Sequence, residues 1–94
     1  MDEPALPRHR LEIEFCMTCK FHGRALWLAR ELLDARPDIA GEIVLVPSSG
    51  GVFTVRYDGA LLFDHAAAGR FPEPKEVREA VLAASGRAPT PKRH

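Results

Sequence analysis

The chain contains two cysteines, Cys16 and Cys19, with Met17 and Thr18 between them. A two-residue spacer lets both sulfur atoms meet in one small disulfide ring, and the positive end of a following helix lowers the pKa of a nearby thiol. This spacing predicts thiol–disulfide redox chemistry. Structural zinc sites use the same spacing, but they normally need a second pair of ligands, and the chain has no other cysteine. A metal half-site and an inert pair are the alternatives.

Histidines would have to complete such a metal site. His22 lies three residues after Cys19, and His9 or His65 could supply a fourth ligand. Three potential ligands near a helix start are common by chance, and His22 projects toward the apolar side of the helix. We therefore expect no bound metal and no built-in cofactor.

The elements that position the cysteines follow from the spacing of apolar residues. Leu11, Ile13 and Phe15 alternate with acidic residues, which predicts a half-buried strand leading to Cys16. The segment 20–35 predicts a helix with two adjacent apolar stripes. One stripe is Phe21, Ala25, Leu28 and Leu32, and its neighbour is Leu26, Ala29 and Leu33. The cysteines thus lie between a strand and a helix, with Cys16 expected in the loop and Cys19 in the first helical turn.

The rest of the chain predicts three further strands and a second helix. The strands are expected at 43–46, 52–57 and 60–63, with an Asp58-Gly59 hairpin between the last two, and the helix at 74–85. This β-α-β-β-β-α order predicts an α/β fold, in detail an α+β sandwich of the thioredoxin-like type. We expect a four-stranded mixed sheet with both helices on one face, because polar residues alternate along the first and third strands.

Length and charge narrow the classes of function. The 94 residues support one domain, predicted at 10–85, between flexible termini at 1–9 and 86–94. Lys and Arg number 13 and so do Asp and Glu, so no strong field favours nucleic acid or an anionic membrane. No segment approaches membrane-spanning length. We expect a cytoplasmic protein whose partners are glutathione or protein thiols.

Three further groups of residues are candidates for contacts. The turn with Ser49, Gly50, Gly51 and Val52 should face the cysteine motif and admit a bound peptide or glutathione, although it could be a plain loop. Met17 and Thr18 either close the turn or shape the approach to the sulfur atoms. Trp27 lies among charged residues of the helix, opposite the Leu26 stripe. It either covers the aliphatic stems of its neighbours or contacts a partner, which could be a second copy of the chain.

Four segments together resemble the selenoprotein W-like family, also called Rdx or SelT/SelW/SelH. They are Phe15-Cys16-Met17-Thr18-Cys19, the helix 24–33, Gly50-Gly51-Val52-Phe53 and Gly69-Arg70-Phe71-Pro72. The resemblance covers residues 11 to about 84. It implies a four-stranded thioredoxin-like sheet, a redox function and, in many members, a link to glutathione or protein thiols.

Two departures from the related patterns affect the chemistry. The best-known family members carry selenocysteine where this chain has Cys19, and thioredoxins carry a cis-proline where it has Gly51. In thioredoxin-like sites the first cysteine is the exposed nucleophile, so we expect Cys16 to attack and Cys19 to resolve. The position of selenocysteine favours the opposite order. A redox-sensitive binding module without catalytic turnover is the alternative to an oxidoreductase.

Overall fold

A four-stranded mixed sheet forms the centre of the computed structural model, which describes residues 9–86. Its strands lie in the order β2-β1-β3-β4, with β1 and β2 parallel and the other neighbours antiparallel. The strands are β1 (Arg10–Cys16), β2 (Glu42–Ser48), β3 (Phe53–Tyr57) and β4 (Ala60–Asp64). The two parallel strands are joined through a helix, and the last two strands form an antiparallel hairpin. This arrangement confirms the predicted mixed sheet.

Three helices connect or follow these strands: α1 (His22–Ala35), α2 (His65–Ala68) and α3 (Pro74–Ser85). Helix α3 begins with a capping box between Glu73 and Glu76, has proline in its first turn, and ends at Gly86 with a φ of 77°. The short α2 is absent from the sequence prediction. Two residues bound this helix. The Asp64 carboxylate accepts the Ala66 N–H at 3.0 Å before it, and Gly69 adopts a left-handed conformation directly after it.

The core lies on one face of the sheet, under α1 and α3. Strand β1 contributes Leu11, Ile13 and Phe15, as its period of two requires. The other fully buried apolar residues are Ala25, Leu28 and Leu32 of α1, Ile39 of the loop after α1, Phe53 and Val55 of β3, and Val77, Val81 and Leu82 of α3. On the opposite face Glu12 lies across from Arg56, and both are only partly buried. The prediction of both long helices on one face is thereby confirmed.

The second apolar stripe of α1 is only partly covered. Leu26 is 54% exposed and Leu33 is 43% exposed, but Ala29 is half-buried against the core, and Ala25, Leu28 and Leu32 of the first stripe are buried. A helix on a sheet face buries one apolar stripe and only part of the adjacent one. In α3 the buried residues are Val77, Val81 and Leu82, whereas Ala84 is exposed.

The hairpin between β3 and β4 has the predicted primed turn, because Asp58 and Gly59 both have positive φ, at 50° and 86°. The Asp58 carboxylate accepts the Arg10 N–H at 2.8 Å and lies 2.8 Å from His9 Nδ1. These two contacts, the backbone one foremost, hold the pKa of Asp58 below its usual value. The turn therefore ties β1 to the hairpin at the end of the sheet away from the cysteines.

The predicted flexible termini lie outside the described residues except for His9 and Gly86. Between those two residues, every helix is too short or too polar to cross a bilayer.

Candidate functional site

The two cysteines lie in unlike surroundings. Cys16 is the last residue of β1 and is 0% exposed, whereas Cys19 is exposed. This reverses the expected arrangement of an exposed first cysteine and a second one inside the helix. Cys19 lies three residues before α1, which begins at His22 and not at the expected residue 20.

The delayed start of α1 results from the turn between the strand and the helix. Lys20 has a φ of 61°, a left-handed conformation that interrupts the helix, and its N–H donates to the Met17 carbonyl oxygen at 2.9 Å. The Phe21 N–H then donates to the Cys16 carbonyl oxygen at 3.0 Å. The chain thus folds back on the end of β1 before entering the helix, and this brings Cys19 next to Cys16.

Several donors converge on the sulfur of Cys16. The Cys19 N–H donates to Cys16 Sγ at 3.2 Å, and Thr18 Oγ1 lies 3.2 Å from the same sulfur. The hydrogen bond from the Cys19 thiol is the main cause that lowers the pKa of Cys16, followed by Thr18, with smaller contributions from the Gly51 and Cys19 N–H groups. Together they outweigh burial and lower it to about 6. At neutral pH the buried sulfur is mostly a thiolate.

The pKa of Cys19 moves in the opposite direction. It is raised, first because the thiol donates its hydrogen bond to Cys16, and then by burial and by the negative charge on that neighbour. The pair therefore holds one proton near neutral pH, mainly on the exposed sulfur. We expected the helix end, Lys20 and Arg24 to depress both pKa values, but local hydrogen bonds dominate, and helix-end effects weaken outside the first turn.

The turn before β3 lies against the cysteine motif, as the sequence predicts. The Cys16 N–H donates to the Val52 carbonyl oxygen at 2.8 Å, and the Met17 N–H donates to Ser48 at 2.9 Å. Gly50 and Gly51 have φ values of 80° and 76°, which only glycine adopts without strain. Because the Gly51 N–H contributes to both thiol pKa values, this residue adjoins both sulfur atoms.

The other predicted contact residues are open to solvent. Ser49 and Gly50 are exposed, while Gly51 and Val52 are half-buried. Met17 is 42% exposed beside the cysteines, and Trp27 is 44% exposed on α1. The predicted exposure of Trp27 is confirmed, and its role as a contact is a separate proposal.

An aromatic cluster beside the motif escaped sequence analysis. Phe21 packs edge to face against Phe71 at 5.0 Å between ring centroids, and against Phe53 at 6.5 Å. The ring of His65 stacks on Phe71 at 4.2 Å. These residues are far apart in sequence, and only the Gly69-Arg70-Phe71-Pro72 motif gave any signal for them. The cluster anchors the turn after Cys19, since Phe21 is the residue that joins that turn to α1.

The histidines do not gather around the cysteines. Within residues 9–86 no group of three or more His, Cys, Asp or Glu side chains is arranged to hold a metal ion. His9 pairs with Asp58, and His65 Nδ1 lies 3.0 Å from the Arg70 carbonyl oxygen. Nδ1 of His22 is buried without a hydrogen-bond partner in this part of the chain. The absence of metal from the protein stays a prediction for elemental analysis.

The sheet, its helices and the cysteine pair at the end of the first strand define a small thioredoxin-like protein with a C-x-x-C motif. The model of the Rdx family matches residues 10–83, and the chain belongs to that family. Membership gives the protein a redox-related role and confirms the resemblance drawn from the four sequence segments.

Individual relatives agree with this assignment. Migration and invasion enhancer 1 of Bos taurus is 32% identical over 83 residues, which are 88% of this chain and 70% of the bovine protein. The Mus musculus protein of the same name is 32% identical over 80 residues, 85% of this chain and 68% of the relative.

Two solved structures extend the similarity to the fold. A Bordetella parapertussis protein matches with a TM-score of 0.78 and 40% identity, covering 83% of this chain and 99% of its own. A selenoprotein W-related protein from Vibrio cholerae matches with a TM-score of 0.77 and 28% identity, covering 83% and 98%. Their coverage shows that the similarity extends over nearly the whole of both solved chains.

Proposed function

We propose that the protein is a thiol–disulfide oxidoreductase that cycles Cys16 and Cys19 between a dithiol and a disulfide. One observation carries the proposal: a buried sulfur that accepts several hydrogen bonds lies directly beside an exposed thiol. The first is suited to persist as a thiolate, and the second is the sulfur that a substrate can reach. The substrate is a disulfide of glutathione or of a partner protein.

The first step belongs to Cys19, because external disulfides cannot reach a sulfur that is 0% exposed. Cys19 passes its proton to Cys16 along their hydrogen bond and becomes a thiolate. Its sulfur attacks one sulfur of a substrate RS–SR, which forms the Cys19–S–S–R bond, breaks the substrate S–S bond and releases RS⁻. This assignment reverses the roles expected from the sequence, since it follows burial and not the position in the motif.

The second step belongs to Cys16. It gives its proton to the released RS⁻, and its thiolate attacks the Cys19 sulfur of the mixed disulfide. The Cys16–Cys19 disulfide forms, the second RS⁻ leaves and takes a proton from water, and two electrons have passed to the substrate. The donors from Thr18 and from the Gly51 and Cys19 backbone still stabilise the Cys16 thiolate for this attack. Two glutathione or protein thiols then reduce the pair again.

The exposed and half-buried residues around the pair are proposed to contact the substrate. Met17 and Thr18 border the sulfur atoms on one side, and the turn of Ser49, Gly50, Gly51 and Val52 borders them on the other. The open space at both glycines leaves room for a peptide or glutathione to approach the backbone. The balanced charge supports thiol partners over nucleic acid or membranes, and a reducing cytoplasm would keep the pair ready for turnover.

A coupled assay tests the proposal. The protein is mixed with the mixed disulfide of glutathione and 2-mercaptoethanol and with reduced glutathione, and the oxidised glutathione that forms is measured with glutathione reductase and NADPH. We expect turnover by the wild type and its loss in both Cys16→Ser and Cys19→Ser. Turnover that survives in either variant would contradict a cycle that needs both sulfur atoms.

A redox-sensitive binding module is the second candidate. It is favoured by the exposure of two large apolar side chains, Met17 beside the pair at 42% and Trp27 on α1 at 44%. In that case the dithiol oxidises slowly without turnover, and a partner binds one redox form in preference to the other. Comparing partner affinity for the reduced and oxidised protein, beside the turnover assay, separates the two functions.

A further inference from the structure

A shallow cleft lies between α1 and the segment that precedes α3. It is lined by Arg24, Trp27, Leu28, Phe53, Phe71 and Pro72, and it measures about 170 Å³ with the solvent at its mouth included. Enclosed small-molecule sites usually measure about 300–1,000 Å³. The cleft is therefore too shallow to enclose a ligand, and a larger partner would lie across it and contact its exposed rim.

The walls of the cleft have the composition of a protein-binding site. Trp27 is 44% exposed at its rim, while Leu28 and Phe53 form a fully buried apolar floor. Tryptophan and arginine are the residue types that most often dominate binding energy at protein interfaces. An aromatic or long aliphatic side chain that packs on the exposed ring of Trp27 would remove apolar surface of both residues from water.

The charge at the cleft is positive and available to a ligand. The Arg24 guanidinium lies 4.2 Å from the centre of the Phe71 ring, so one of its faces is held by that ring. Arg24 forms no ion pair within residues 9–86, Lys20 is exposed one turn nearer to Cys19, and the first turn of α1 contains no acidic residue. The N–H groups of Arg24 can therefore bind a carboxylate in the bidentate manner typical of arginine.

The cleft is continuous with the cysteine motif. Phe21 contacts both Phe53 and Phe71 of the cleft, and its N–H donates to the Cys16 carbonyl oxygen. Trp27 follows the first residue of α1 by five residues, which is about 7.5 Å along the helix axis. The three-residue step from Cys19 to that helix adds at most about 11 Å, so an extended peptide covers the whole span with roughly three to five residues. One segment of a partner can thus occupy the cleft while its own cysteine reaches Cys19.

We propose that this cleft is the docking site for the protein substrates of the cysteine pair, and that it binds an apolar side chain next to a carboxylate. The docking side chain lies roughly three to five residues from the substrate's reactive cysteine. The proposal rests on the proposed function for its substrate, but the docking itself can be measured without any redox step.

The chain's one tryptophan provides that measurement. The probe is a short peptide with Phe and Asp next to each other and with Ser in place of its cysteine. Its matched reference carries Ala and Lys at those two positions. Binding of the Phe–Asp peptide should shift Trp27 emission to shorter wavelength, with an affinity about tenfold above the reference at low ionic strength. Arg24→Glu should remove this preference, and Arg30→Ala, whose side chain only pairs with Asp34 on the same helix, should retain it.

Equal affinity for the two peptides would overturn the docking proposal. A blue shift that grows with protein concentration in the absence of peptide would also overturn it, because a second copy would then be the occupant. With cysteine restored to both peptides as mixed disulfides of 2-mercaptoethanol, the exchange rates should differ by the same factor. Peptide binding without any exchange would support the docking site and contradict the oxidoreductase, so the two proposals fail separately.

Discussion

The backbone N–H of Cys19 donates to the sulfur of Cys16 at 3.2 Å, so the exposed cysteine stabilises the buried one through its main chain as well as its thiol. The two cysteines therefore have different roles. The buried sulfur holds negative charge, and the exposed sulfur meets the solvent.

The first prediction concerns the Cys16 thiolate. Because its pKa is lowered to about 6, the thiolate absorbance near 240 nm should rise by one equivalent as pH passes through that value, and it should not rise there in Cys16→Ser. Thr18→Val removes one donor and should raise this pKa by about one unit, since a hydrogen bond to a charged group contributes about 1.5 kcal/mol. Thr18→Ser keeps the hydroxyl and is the control. The same midpoint in all three proteins would exclude Thr18 as a donor to the thiolate.

The second prediction concerns the start of α3. Both Arg70 Nη atoms donate to the Glu76 carboxylate, at 2.6 and 2.9 Å, and the Glu73 N–H donates to it at 2.7 Å. These bonds, Arg70 first, lower the pKa of Glu76 to about 2 from an ordinary 4.5. A lowered carboxylate pKa adds stability above pH 4.5 that is lost as pH falls through 2.

Glu76→Gln should therefore lower the free energy of unfolding by about 1 kcal/mol at pH 7. The difference from wild type should shrink below pH 4.5 and vanish near pH 2, as measured by urea unfolding at a series of pH values. Glu79→Gln is the matched control on the same helix, because Glu79 is exposed and pairs with no cation within residues 9–86. A loss of stability that is independent of pH would exclude the carboxylate as its cause.

The third prediction compares two glycines of the turn before β3. Gly50 and Gly51 both have positive φ, and a Cβ at either would meet open space. Alanine should therefore lower stability by a similar amount at both positions, about 1 kcal/mol, through backbone strain. Of the two glycines, only Gly51 lowers the pKa of Cys16 through its N–H. Alanine keeps that N–H but strains the φ of 76° that orients it, so Gly51→Ala should also raise the pKa of Cys16 and slow disulfide exchange. Equal exchange rates in the two variants would show that Gly51 serves backbone geometry alone.

Periodicity predicted the elements that depend on local pattern and on burial of one face. The alternation of Leu11, Ile13 and Phe15 predicted β1, and Asp58-Gly59 predicted the hairpin. Sequence analysis misjudged what depends on tertiary contacts. It placed Leu26 on a second apolar stripe of the helix, but no residue in the described part of the chain covers Leu26, which is 54% exposed. Periodicity has no means to tell which of two adjacent stripes faces the sheet.

At the cysteine site, too, sequence analysis could not predict features that depend on tertiary contacts. The C-x-x-C spacing and its position after a strand predicted the pair and the neighbouring turn. The exposure of each cysteine could not be predicted, because it depends on the left-handed conformation of Lys20 and on hydrogen bonds from the Ser48–Val52 turn. A lysine in that conformation carries no sequence signal. The aromatic contacts of Phe21 with Phe53 and Phe71 likewise join three separate segments.

The last prediction concerns which sulfur reacts first, where charge and access favour different cysteines. Cys16 has the lower pKa but is 0% exposed, whereas Cys19 has the raised pKa and is exposed. We expect access to determine which cysteine reacts first. Proton transfer within the pair supplies some Cys19 thiolate, whereas a reagent in solution cannot reach the buried sulfur of Cys16. With less than one equivalent of iodoacetamide at pH 7, mass spectrometry should find the label mainly on Cys19. Cys16→Ser should accumulate a stable mixed disulfide with glutathione, and Cys19→Ser should form little. Predominant labelling of Cys16 would instead mean that the turn opens readily and that the order of attack expected from the motif is correct.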